Sequence, residues 1–98
     1  MSSNAITLRG LLEKTIDEHL AEQQLAKTHE FFEALRPAVS KREDAIFGYI
    51  VGWTMATVYG LYTRIVNRDF TQEEINEVAE TIIRRSLEIR HRIMETST

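Results

Sequence analysis

Ninety-eight residues, 43% hydrophobic and 28% charged, have the balance of one soluble globular domain, and a chain of this length buries roughly two-thirds of its unfolded surface, enough for a core without staples. The absence of cysteine excludes disulfides and thiolate chemistry, and a net charge of −3 argues against a dedicated nucleic-acid binder. The opening MSSNAITLRG has no basic region followed by an apolar run, so no signal peptide is expected and the cytoplasm is the expected location. One proline and four glycines leave little punctuation, which favours a few long helices in an all-α fold.

The first four residues are expected to fray. The first predicted helix runs from about residue 5 or 7 to residue 35, where Pro37 stops it. Its apolar pattern changes halfway. Leu8, Leu11, Leu12, Ile16 and Leu20 share one side, whereas Ala21, Leu25, Phe32 and Leu35 lie about half a turn away. Neither glycine nor proline separates the two sets. The expected solution is a continuous helix whose halves face different neighbours, the first half packing on another copy of the chain. A local kink near residues 22 to 24 is the alternative.

The second predicted helix spans about residues 41 to 67. Ser40 to Glu43 fits a capping box, and Asp44 adds negative charge to the first turn. From Ala45 to Thr63 there is no charged residue, and Gly48, Gly52, Ala56 and Gly60 recur every fourth position. Glycine within a helix costs about 1 kcal/mol relative to alanine, so three at this spacing call for a compensating close approach by another helix. Two seams run beside each other: Phe47, Val51, Thr54, Val58, Leu61 and Ile65, then Gly48, Gly52, Met55, Tyr59, Tyr62 and Val66. The stretch is also long enough for a membrane span, with small residues spaced as between membrane helices. Trp53, Tyr59, Thr54 and Thr57 at its middle argue against that reading.

Asn67 to Asp69 form a tight connection. Thr71 to Glu74 fits a second capping box, with Phe70 and Ile75 placed for a hydrophobic staple. The third predicted helix spans about residues 72 to 94 on an apolar stripe of Ile75, Val78, Ala79, Ile82, Ile89 and Ile93, and a loose tail follows. The fold expected is therefore an antiparallel three-helix bundle with a glycine-striped central helix. Its apolar surface exceeds what three helices hide, so a homodimer or higher oligomer is expected, with Gly48, Gly52, Ala56, Gly60, Leu8, Leu12 and Ile16 at the interface. A further protein partner is the other partner expected.

No catalytic signature stands out. Glu88-Ile89-Arg90-His91 has Glu-x-x-His spacing, but a di-iron bundle needs a second copy and two more glutamates, so no metal site is expected and pairing of Glu88 with Arg84 or Arg92 is preferred. Glu73-Glu74-Ile75-Asn76-Glu77 resembles half of the acidic motif of magnesium-dependent, all-α nucleotide pyrophosphohydrolases of the MazG type. That resemblance covers five residues and lacks the second acidic pair on a following helix. His19 and His29 are expected at the surface. Arg64, Arg68, Arg84, Arg85, Arg90 and Arg92 fall at opposite poles and form no single basic patch. The function expected is a small non-enzymatic interaction or assembly module without a cofactor. The alternative is a helical-bundle enzyme or small-ligand-binding protein, with a pocket between subunits formed by Tyr49, Trp53, Tyr59 and Arg64, and with His19 as acid or base.

Overall fold

In the computed structural model, which describes residues 7–96, the chain forms four helices: α1 (Leu8–Leu20), α2 (Glu22–Ala34), α3 (Arg42–Val66) and α4 (Gln72–Thr96). No strand occurs among the described residues. The expected fraying of residues 1–4 lies outside them. The expected loose tail does not begin at Glu95, because α4 continues through Thr96.

The expected first helix is broken. Ala21 adopts an extended ψ of 139° and serves as C-cap of α1 and N-cap of α2. Its N–H bonds to the Glu18 carbonyl at 3.4 Å, and its carbonyl accepts from Leu25 N–H at 2.9 Å. The reason lies in the half-turn offset between the two apolar sets. One extended residue rotates the second set back, so Ile16, Leu20, Leu25 and Phe32 enter the same cluster with Ile46, Ile50, Ile89 and Ile93. A continuous helix would have left one set without this core. Arg92 of α4 closes the break by donating to the freed Leu20 carbonyl at 2.7 Å. Four helices thus replace the three expected, and α1, α3 and α4 run up-down-up.

α1, α3 and α4 alone supply the second cluster, Leu8, Leu12, Val58 and Val78. The bundle therefore has four helices around its core at one end and three at the other. Three buried threonines, Thr15, Thr54 and Thr81, fall where the helices pass from one cluster to the other. Thr15 returns its hydroxyl to the Leu11 carbonyl at 2.8 Å, whereas the Thr54 hydroxyl has no partner.

The buried stripe of α3 is Ile46, Ile50, Thr54 and Val58. Only Thr54 and Val58 belong to either expected seam. On α4 the buried positions are Val78, Thr81, Ile89 and Ile93, with Ile75 and Ala79 exposed. Leu8, Leu12 and Ile16, expected at a subunit interface, are 4%, 0% and 1% exposed within the single chain, so they are core residues.

The two capping boxes end differently. At α4, Glu74 N–H donates to Thr71 Oγ1 at 3.1 Å and Thr71 N–H donates to the Glu74 carboxylate at 2.9 Å. At α3, Lys41 is the N-cap and no side chain caps it, so the Ser40–Glu43 box does not form. Arg42 is drawn instead to Glu33 of α2. Helix α3 ends on Asn67 in the left-handed conformation (φ 59°, ψ 42°), with Arg68 N–H reaching back to the Thr63 carbonyl at 3.2 Å. Asparagine tolerates that conformation better than other residues with a side chain. Phe70 packs its ring on Tyr59 and Tyr62, and Ile75 stays exposed.

Candidate functional site

The break between α1 and α2 opens a cleft of about 220 Å³ lined by Thr15, Glu18 and His19 of α1, Gln24 of α2, and Trp53 and Thr57 of α3. Its position follows from the fold. Tyr49, Trp53 and Thr57 are four residues apart, so they form one line along α3. That line borders the buried stripe on the side of α1 and α2.

His19 is 7% exposed and meets two rings of this line edge-on, Tyr49 at 6.1 Å and Trp53 at 5.7 Å between centroids. Tyr49 in turn packs on Trp53 at 5.6 Å and on Phe32 at 5.6 Å. Burial lowers the His19 pKa, and Glu18 opposes that shift in part. The imidazole is therefore neutral at pH 7. The Nδ1 of His19 is buried and has no hydrogen-bond partner.

Three residues expected at a pocket, His19, Tyr49 and Trp53, thus come together within one chain. Tyr59 and Arg64 do not join them. The Tyr59 hydroxyl donates to Asp69 at 2.8 Å, which raises its pKa, and its ring packs on Phe70 at 5.1 Å. Arg64 stands eleven residues beyond Trp53, about 16 Å along the helix axis.

Both helix-1 histidines expected at the surface are buried. His29 spans from α2 to α4, with Nε2 2.9 Å from the Ile93 carbonyl. A carbonyl only accepts, so Nε2 carries the hydrogen. Thr15, Glu18, Gln24 and Thr57 were not anticipated as lining residues. No periodic signal marks them, because the cleft arises where three helices meet.

Several other charged groups are engaged in the fold. Arg85 is held by Glu13 (2.8 Å), Asp17 (2.8 Å) and Glu88 (2.7 Å), so α4 is tied to α1. Glu88 pairs with Arg85 rather than with Arg84 or Arg92 as expected, and this contact lowers its pKa. His91 faces Glu95 at 3.3 Å. Glu74 takes Arg68, Thr71 and the Tyr62 hydroxyl, which hold it well below the usual carboxylate range. Arg90 bonds Asp44 at 3.0 Å and lies 4.2 Å over the Phe47 ring. No group of three His, Asp or Glu side chains placed to hold a metal occurs among the described residues.

The four small residues of the α3 ridge face away from the core. Gly48, Gly52, Ala56 and Gly60 are exposed, and a Cβ added at any of the three glycines would meet nothing within 4 Å. No other helix among the described residues approaches these three Cβ positions within 4 Å. Beside it lies an apolar groove lined by Val51 and Met55 of α3 and Ile75, Ala79, Ile82 and Ile83 of α4. Ile83 and Leu87 stand out from the far side at 71% and 81% exposed. Helix α3 is also long and apolar enough to cross a membrane.

No protein-family model, curated protein or solved structure matches this chain.

The buried, neutral His19 has a consequence for stability. The unfolded chain protonates this residue below its ordinary value of about 6.5, whereas the folded chain resists protonation until the pH is lower. Between those values the unfolded state binds more protons, so stability falls as the pH falls. Urea unfolding at pH 7.5, 6.5 and 5.5 should show a steeper loss for the wild type than for His19→Asn. Equal slopes would mean that His19 is not desolvated.

Proposed function

We propose that this protein is a small non-enzymatic interaction module that self-associates through the outer face of α3 and the adjoining face of α4. The observation that carries this reading is the uncharged ridge Gly48, Gly52, Ala56 and Gly60, open along its length and continuous with the groove below Ile83 and Leu87. A flat strip and two projecting aliphatic side chains on one face make that face self-complementary. In a twofold dimer the projections of each copy lie on the strip of the other.

Magnitudes support a modest affinity. Burying Ile83 and Leu87 from both copies contributes roughly 6–12 kcal/mol, against an association cost of about 4–15 kcal/mol. The ridge and groove must therefore supply the surplus, through close backbone approach and an area with no charge to desolvate. Leu8, Leu12 and Ile16 belong to the core, so the interface proposed lies on α3 and α4.

The test is solution mass by light scattering over a hundredfold concentration range, for the wild type and for Ile83→Glu with Leu87→Glu. Both side chains are solvent-exposed in the protomer, so the double variant should fold. A concentration-dependent dimer that the variant abolishes supports the reading. A monomeric wild type that partitions onto lipid vesicles would replace the second copy with a bilayer as the cover for α3.

A further inference from the structure

The cleft at the α1–α2 break gathers polar side chains without partners around one half-exposed indole. Glu13, Glu33, Glu74, Glu88 and Asp44 each pair with an arginine. Glu18 pairs with none among the described residues, and neither Gln24 nor Thr57 has a side-chain hydrogen bond. His19 lines the same cleft almost wholly buried, with one ring nitrogen unpartnered. No lysine or arginine lines the cleft. Trp53, 53% exposed, forms one wall, braced by Tyr49 and His19.

Such a site is rich in acceptors and poor in cations. A carboxylate, an amide oxygen and two hydroxyl oxygens line one space beside an indole, with the buried His19 ring behind them. An indole face attracts cations through its quadrupole, and Glu18 adds a full negative charge. At about 220 Å³, the space exceeds the roughly 150 Å³ cavity that accepts benzene. An anion would meet Glu18 with no compensating charge, and a neutral hydrocarbon would leave the acceptors dry and unpaired.

We propose that the cleft between α1, α2 and α3 binds a small monocationic amine with one apolar arm. The ammonium lies toward Glu18, Gln24 and Thr57, and the apolar arm lies along Trp53. This site stands apart from the α3–α4 face proposed for self-association, since its lining turns toward α1 and α2.

Trp53 is the only tryptophan, so intrinsic fluorescence reads the site directly. Phenethylamine serves as probe, with 2-phenylethanol and phenylacetate as neutral and anionic counterparts. Phenethylamine should change the emission saturably, with half-saturation at or below about 1 mM for a ligand of this size. The alcohol should bind at least about tenfold more weakly and phenylacetate not at all. Glu18→Gln, at an exposed position, should weaken the amine about tenfold and leave the alcohol unchanged. The titrations are repeated on the Ile83→Glu, Leu87→Glu protein, because Trp53 borders the ridge and a change of association would also alter its emission. The same amine curve in that variant assigns the signal to the cleft. No saturable change, equal binding of the three probes, or an amine affinity untouched by Glu18→Gln would each overturn the proposal.

Discussion

Alanine at Gly48, Gly52 and Gly60 together should stabilise the protomer by about 3 kcal/mol, because each glycine in a helix interior costs about 1 kcal/mol relative to alanine. Nothing among the described residues opposes the change. All three glycines have negative φ, and an added Cβ at each meets open space. For a domain of this size a gain of that order raises the melting temperature by at least about 10 °C. The same three methyl groups would lie on the strip proposed to receive a second copy, where they would hold the two backbones apart. Thermal unfolding at low concentration and light scattering at high concentration therefore move in opposite directions if the ridge is an interface. A variant that is both more stable and no less associated would remove the ridge from assembly. A protomer made less stable would mean that another part of the chain covers the ridge.

Leu12→Ala should cost about 2–5 kcal/mol, the range for deleting a leucine side chain from a closed core. Leu12 is fully buried, in one cluster with Leu8, Val58 and Val78. The loss should appear in chemical unfolding at any protein concentration. Had Leu12 lain on an interface, the variant would lose association and keep the stability of the protomer. Urea midpoints measured at two concentrations separate these outcomes, and a midpoint unchanged at the lower one would place Leu12 outside the core.

Local patterns in the chain were legible where both partners lie within a few residues. The Thr71–Glu74 capping box formed as its spacing required, and the long uncharged stretch became one helix from Arg42 to Val66. An equally good pattern at Ser40–Glu43 did not form. Arg42 is held by Glu33 of α2, nine residues earlier, and the helix takes Lys41 as its N-cap, one residue later than the box requires. The ridge shows the same limit. Its spacing is visible in sequence, but spacing alone does not say which way it turns. That was decided by Ile46, Ile50, Thr54 and Val58, which occupy the opposite side of α3 and carry the buried stripe.

By itself, the sequence determined that the chain is all-helical and that its long uncharged stretch is a single helix, because caps, charge and apolar period act over one or two turns. Only the tertiary structure decided the break at Ala21, the burial of His19 and His29, and the cleft beside Trp53. No residue near Ala21 breaks a helix. The chain bends there because α3 and α4 offer a single core to two apolar sets half a turn apart, and bringing both sets into it outweighs the backbone hydrogen bonds given up at one residue.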